Sequence, residues 1–257
     1  MGPPVVERNG WRVTVLDGSA QLEAVLAVVD DESAPSLRRS RHATTFRIAG
    51  GESRGGVYVK VFKPAVGLSR LKSLFRRSRS SYLAQIMTAL AAAGIAVPQI
   101  ICFGRDRRSG REILVTAAVE GDGPLAAIAR LQGKVEAKRA LLRHLGNEVA
   151  RLHRMGFVHG ELTPFNIRFG RGEPPKVTFL DNDRTAKCII GDYRLRLRNL
   201  AQLGCFELPG ITRTDRLRVF RAYEAALYQS RSDDRLRRVS ATIDRRMGRH
   251  PSQLVKT

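Results

Sequence analysis

Apolar positions change their period several times along the chain, and each change marks an element. Val57-Tyr58-Val59-Lys60-Val61-Phe62 alternates within a β-branched and aromatic run, which predicts a strand. Thr44 to Ile48 reads the same way, and the glycine-rich stretch from Ala49 to Gly56 supplies a hairpin turn between the two. Leu83, Ile86, Met87 and Leu90 recur at helical spacing until Gly94 and Pro98 stop the helix. Ile100 to Phe103 and Glu112 to Thr116 predict strands flanking a charged turn, Arg105 to Gly110. Leu141, Leu142, Leu145, Val149 and Leu152 mark a long helix that Gly156 ends, with His144 and His153 read as surface residues on it. A short apolar run, Val177 to Leu180, follows, and Leu195 to Gln202 and Leu217 to Tyr228 look helical. Residues 1–10 and 230–257 are polar, Arg-rich and weakly periodic, and read as partly disordered. No internal repeat is present. Strands followed by helices predict an α+β chain with a small antiparallel-sheet N-lobe, residues 1–117, and a mainly helical C-lobe, residues 118–257. The 257 residues and 43% apolar content are ample for a core.

The loops between these elements carry the chemistry. His159-Gly160-Glu161-Leu162-Thr163-Pro164-Phe165-Asn166 follows the long helix, and Asp181 closes the next apolar run. A carboxylate five residues before an Asn, with a second carboxylate on the following hairpin, is the arrangement of a phosphotransferase catalytic loop and metal loop, H-R-D-L-x-x-x-x-N and D-F-G in protein kinases. Phosphoryl transfer asks a protein to position a hydroxyl and to neutralise charge spreading over phosphate oxygens. Glu161 suits the first task. Asn166 and Asp181 are hard oxygen donors suited to Mg²⁺, with Asp183 in reserve. Upstream, Lys60 is the one lysine of the strand Val57 to Phe62, and in kinases a lysine on the third strand of a small antiparallel lobe grips the nucleotide phosphates. The phosphate-covering position falls around Ser36 to Arg41, which lacks G-x-G-x-x-G and offers Arg, Ser and backbone amides instead.

With these residues in view, the chain resembles the bacterial lipopolysaccharide kinase family, the Kdo kinases and inner-core heptose kinases, from about residue 36 to about 228. The resemblance is carried by Tyr58-Val59-Lys60, the Phe75 to Arg79 segment leading into a helix that ends Ala92 to Pro98, and Leu114 to Gly121. It continues through His159 to Asn166, Leu180 to Arg184, and Arg198-Asn199-Leu200-Ala201-Gln202-Leu203. It implies a protein-kinase-like two-lobed fold that uses ATP and Mg²⁺. The reaction implied is transfer of a γ-phosphate to a sugar hydroxyl of a lipid-linked acidic saccharide. By position it implies Lys60 on the nucleotide phosphates, hinge backbone near Ala118 on adenine, Glu161 in the catalytic slot, and Asn166 and Asp181 on Mg²⁺.

Three departures from the pattern stand out. The acid of the catalytic loop is Glu161 where the family has Asp, and Asn182 stands where D-F-G has Phe. No acid lies between Lys63 and Asp106, so the first helix offers only Gln85 or Tyr82 toward Lys60. Two function classes therefore stay open: an active sugar kinase, and a catalytically impaired kinase-fold protein binding nucleotide or glycolipid as regulator or scaffold.

Charge adds a partner. The net charge is +21, and between Pro64 and Arg111 nine basic residues face Asp106 alone. An anionic membrane surface, a nucleic acid and merely solvated Arg-rich faces compete to explain it. The first is favoured, because no helix-turn-helix, zinc-ligand or aromatic stacking pattern accompanies the charge and aromatics are only 6%. Three scattered cysteines, Cys102, Cys188 and Cys205, form no metal or disulfide pattern. With no apolar run of bilayer-spanning length, this predicts a cytoplasmic protein, peripheral on the inner face of the cytoplasmic membrane.

Overall fold

The first hairpin is set by Asn9-Gly10, both at positive φ (51° and 88°), a tight primed turn that these two residue types tolerate. It joins β1 (Val5–Arg8) to β2 (Trp11–Val15), with Arg8 opposite Trp11. The expectation of disorder over residues 1–10 is thus corrected for the strand and its turn. The computed structural model describes residues 2–17, 22–31, 33–50, 55–64, 78–188 and 193–249. They divide into two units, residues 1–89 with 98–119, and residues 90–97 with 120–257.

Unit 1 is built on a seven-stranded antiparallel sheet of order β1-β2-β6-β7-β5-β4-β3. Its further strands are β3 (Arg38–Arg39), β4 (Ala43–Ile48), β5 (Val57–Phe62), β6 (Ile100–Asp106) and β7 (Glu112–Ala117). The strands read from alternation are β4 to β7. Ile48 opposite Val57 makes β4 and β5 the expected hairpin, although residues 51–54 of its turn lie outside the described residues.

Alternation gives β5 two faces. Val57, Val59 and Val61 are buried in a cluster with Trp11, Val13, Phe46, Ile113 and Val115. Helix α1 (Leu22–Asp30) covers that cluster through Leu22, Val25, Leu26 and Val29, spaced as one helical stripe. Arg111 ties the β6–β7 turn to α1, donating to the Val29 carbonyl (2.9 Å) and to Asp30 (2.8 Å). Tyr58, Lys60 and Phe62 take the other face, where the guanidinium of Arg79, first residue of α2 (Arg79–Ala92), stacks 4.5 Å from the Phe62 ring.

Unit 2 is mainly helical. It holds α3 (Pro124–Arg130), α4 (Val135–Arg154), α5 (Tyr193–Gly204), α6 (Arg213–Tyr228) and α7 (Asp233–Arg249). Two short antiparallel pairs complete it: β9 (Ile167–Phe169) with β10 (Val177–Phe179), and β8 (Phe157–Val158) with β11 (Ala186–Lys187). α4 buries the predicted Leu141, Leu142, Leu145, Val149 and Leu152. It approaches α6 at Gly146, where a Cβ would strike the Val219 carbonyl and the Ala222 side chain, so this helix-interior glycine is required by packing. α6 begins with a capping box between Thr212 and Asp215. Burial alone would raise the Asp215 carboxyl; Lys138, 2.6 Å away, and the Thr212 donors overcome that and hold it at about 2.

α7 corrects the reading of residues 230–257 as a disordered tail over its own length. Glu224 of α6, fully buried, is held by Arg221 (2.9 Å) and by Arg235 of α7 (2.8 Å), and Val239 is buried behind them. Residues 250–257 lie outside the described residues.

Candidate active site

In unit 2 the loop that follows α4 starts from β8, whose Phe157 and Val158 pair with Lys187 and Ala186. The His159 ring is buried behind it. The Glu161 amide donates to His159 Nδ1 (3.1 Å), so that nitrogen is the acceptor and Nε2–H donates to the Leu180 carbonyl (2.8 Å). Burial pushes the ring's pKa down, against the Leu180 carbonyl and nearby Asp181, and so favours the neutral ring. One imidazole thus bridges the loop carrying Glu161 to the strand end carrying Asp181. Gly160 is obligatory here, because a Cβ would collide with the Arg184 backbone and Cβ.

α5 clamps the loop from behind. Asn199 Oδ1 accepts the His159 amide (3.0 Å), and its Nδ2 donates to the His159 carbonyl and to Gln202 Oε1. Gln202 in turn accepts the Leu162 amide (3.2 Å) and donates to the Gly160 carbonyl (3.2 Å). His153 at the end of α4 donates from Nε2 to Asn199 Oδ1 (3.1 Å), and its Nδ1 accepts the Tyr223 hydroxyl (2.8 Å). The sequence reading of His153 as a surface residue is therefore wrong: it is fully buried, and burial lowers its pKa to about 4. His144 is half-buried with its ring on the Pro175 carbonyl. The roles of His153, Asn199, Gln202 and Tyr223 were not read from spacing.

Asn166 and Asp181, the residues expected to hold a metal, flank the β9–β10 hairpin. Its ladder continues one step beyond Ile167–Phe179, with the Leu180 amide on the Asn166 carbonyl (2.8 Å), which seats Asn166 next to Asp181. Asn166 Nδ2 donates to the Glu161 carbonyl (2.9 Å), which identifies Oδ1 as the acceptor end of that amide. Asp181 is half-buried and left-handed (φ 51°, ψ 58°), a conformation Asp tolerates better than most residues. Asn182 is buried, its amide donating to the Phe179 carbonyl (3.0 Å) and accepting the Thr185 hydroxyl (3.1 Å). Among the described residues no three His, Cys, Asp or Glu side chains form a metal cluster. Asn166 and Asp181 instead offer hard oxygens of the kind Mg²⁺ takes beside substrate phosphates.

The other expected site residues lie in unit 1. Lys60 is half-buried on β5, its ammonium 5.8 Å from the Phe62 ring. Of Ala118 the amide already donates to the Gly56 carbonyl (2.8 Å), which narrows any adenine contact by that residue to its carbonyl. Ser36 to Arg41 runs into the β3–β4 hairpin, whose turn is closed by Ser40 on Ala43. Tyr82 and Gln85 are both exposed on α2, and Glu112 of β7 accepts from Ser78 and from the Ser80 amide at the start of that helix (2.7 Å each). Among the described residues the expected basic patch is seen only in part. Arg105, Arg107 and Arg108 are exposed, but Arg107 pairs with Glu7, and Arg111 turns inward to Asp30. Arg76 and Arg77 lie outside the described residues.

A family model, the lipopolysaccharide kinase (Kdo/WaaP) family, matches residues 41–223, more than half of the chain. A solved structure described as WaaP in complex with acyl carrier protein aligns with a TM-score of 0.65 at 21% identity, over 95% of this chain and 100% of that one. Another, a structure of vaccinia related kinase 3, aligns with a TM-score of 0.41 at 12% identity, over 95% of this chain and 84% of that one. No curated protein matches the sequence. The likeness to the first shows the fold: α+β and protein-kinase-like, with an antiparallel-sheet unit and a mainly helical unit.

The neutral His153 makes loop anchoring pH-dependent. Its folded pKa, about 4, lies below the ordinary 6.5, so its contribution is full above pH 6.5 and is lost as pH falls toward 4, where only the unfolded chain takes up the proton. In urea titrations the parent should lose stability across that window more steeply than His153→Gln, by up to about 1.4 kcal/mol per pH unit. Equal slopes would show that the ring is not kept neutral by burial.

Proposed function

The chain belongs to the lipopolysaccharide kinase (Kdo/WaaP) family, and on that premise we propose that it transfers the γ-phosphate of ATP to a sugar hydroxyl of a lipopolysaccharide core or related glycolipid. The observation that carries this reading is the ladder step that seats Asn166 beside Asp181 while Asn166 Nδ2 holds the Glu161 carbonyl. The Glu161 side chain, exposed at the loop, orients the acceptor hydroxyl and takes its proton. Asn166 Oδ1 and the Asp181 carboxylate hold Mg²⁺, with Asp183 the reserve ligand. Lys60 holds the nucleotide phosphates, and the Ala118 carbonyl takes the adenine edge. Bound Mg²⁺ would supply charge neutralisation at the transferred phosphoryl group.

Steady-state ATP consumption with Mg²⁺ and core oligosaccharide tests these roles. Asp181→Asn should abolish turnover while Asp183→Asn costs much less, and Glu161→Gln should lose turnover by about 10²-fold or more while retaining ATP. Glu161→Asp should also be slower than the parent. If Glu161→Gln changes nothing and Glu161→Asp gains activity, the chain is instead an impaired kinase-fold protein acting as regulator or scaffold.

We place its work at an anionic membrane surface, as a peripheral protein on the cytoplasmic side. Among the described residues no helix is long and apolar enough to cross a membrane, and the net charge of +21 supplies the attraction. Association with anionic vesicles should fall steeply with added salt. Equal affinity for neutral and anionic vesicles would remove the membrane from this account.

An acyl carrier protein is proposed as a further partner, on the likeness to that solved complex. Unit 2 has an apolar cavity of about 90 Å³, lined by Ile128, Leu141, Leu145, Leu200, Phe206 and Ile243 among others, where an acyl chain would find no polar wall except Arg216. The acylated carrier should raise the Tm of the chain, and the unacylated carrier should do so much less. Equal effects would leave the cavity unrelated to the partner.

A further inference from the structure

A second cavity of unit 2, about 250 Å³, lies against the loop that precedes Glu161. Val158, His159 and Gly160 form one wall, Arg184, Ala186 and Cys188 another, and Leu195, Arg198 and Asn199 of α5 the third. Its polar character is one-sided. Arg184 and Arg198 line it, and among the described residues no Asp or Glu does. The two guanidinium groups are exposed and take no part in the ion pairs among the described residues, where many other arginines of unit 2 are paired with acids. Two guanidinium groups lining one cavity give it a positive potential, and the fork of N–H donors on each matches phosphate or carboxylate oxygens.

The loop geometry fixes where this cavity stands relative to the chemistry. Gly160 has no Cβ because the Arg184 backbone passes against it, so Arg184 cannot drift from the catalytic loop without opening that contact. Arg198 precedes Asn199, whose amide holds the His159 backbone. Both arginines are thus anchored by the same contacts that position Glu161.

We propose that Arg184 and Arg198 form an oxyanion subsite that holds a phosphate or carboxylate of the acceptor saccharide. This rests on the kinase reading above and adds what selects the acceptor: a charged substituent beside the hydroxyl that is phosphorylated. A neutral saccharide would forgo the charge-assisted hydrogen bonds that an anionic one makes, so the subsite discriminates by charge as well as by shape.

The test uses the full chain and the double variant Arg184→Gln/Arg198→Gln, with Arg198→Lys as the conservative control. With lipid-linked core oligosaccharide as acceptor, the double variant should raise the acceptor KM by about 10-fold or more, the size of a lost charge-assisted hydrogen bond. The KM for ATP should stay within about twofold, and Arg198→Lys should fall between. After the acceptor is treated with phosphatase, loss of the difference between parent and variant assigns the anion to a phosphate; persistence assigns it to a carboxylate. An unchanged acceptor KM in the double variant overturns the proposal. A second arm needs no turnover: inorganic phosphate, added with saturating ATP analogue present, should raise the parent's Tm and not the variant's. Equal rises overturn the subsite even if turnover is seen. A phosphate effect confined to the parent, with no turnover from any form, would leave the subsite standing and remove the kinase reading instead.

Discussion

A loop with neither strand nor helix partners must satisfy its backbone through side chains, and in this chain that duty falls on Asn199 and Gln202. Between them they meet the amides of His159 and Leu162 and the carbonyls of His159 and Gly160. A buried amide or carbonyl left without a partner costs about 1–3 kcal/mol, so four such groups could not stay near the core without this clamp. Everything chemical follows from it. His159 is held by its backbone, and its ring then fixes the Glu161 amide and the Leu180 carbonyl, the residue before Asp181. Behind the clamp stand His153 and Tyr223, so α4, α5 and α6 all bear on one short loop.

Which parts of this were legible depends on how far apart in the chain the cooperating residues lie. β4 to β7 and α2, α4 and α6 were readable because each carries its own periodicity in a single window. That Glu161, Asn166 and Asp181 stand near one another was readable because their spacing is local. The clamp was not: Asn199 meets His159 forty residues away, and His153 meets Tyr223 seventy residues away, so no window contains both partners. His153 sits among Arg151, Arg154 and other polar residues, which made a buried ring look like a surface one. Two misses were avoidable. Asn9-Gly10 is a strong hairpin signal, and Leu22, Val25, Leu26 and Val29 form a helical stripe. α7 is harder, since its Arg-rich face hides a helix whose buried contact with the rest of unit 2 rests on a few residues such as Val239 and Arg235.

The turn after Asp181 shows how a substitution in a motif is absorbed. Where the kinase motif carries Phe, Asn182 is buried to nearly the same degree as the apolar residues around it. An amide in that place would be costly if unpaired, but it donates to the Phe179 carbonyl and accepts from Thr185, whose amide bonds back to the Asn182 carbonyl. The turn is therefore closed on itself by hydrogen bonds instead of by packing an aromatic ring. That makes the backbone at Asp181 a product of its immediate neighbours, consistent with its left-handed conformation being maintained by local contacts.

Glu161 presents the converse problem, because here the substitution adds length at a place where the backbone has no freedom to give. Its amide is held by His159, and its carbonyl accepts both the Thr163 amide (2.8 Å) and Asn166 Nδ2 (2.9 Å). Moving the residue back to compensate for a longer side chain would break three hydrogen bonds, one of which also aims the Asn166 oxygen. The additional methylene, about 1.5 Å of reach, must then be taken up by the side-chain torsions. Glu161 is exposed, so several rotamers are open to it, and on the proposed kinase reading the entropy of choosing one falls to be met when an acceptor binds. On the proposed kinase reading, an acceptor anchored at Arg184 and Arg198, beside this loop, relieves that cost, since it presents its hydroxyl at a fixed place for the carboxylate to find. A long, free acid and a rigid loop therefore make sense together only if the substrate supplies the missing order.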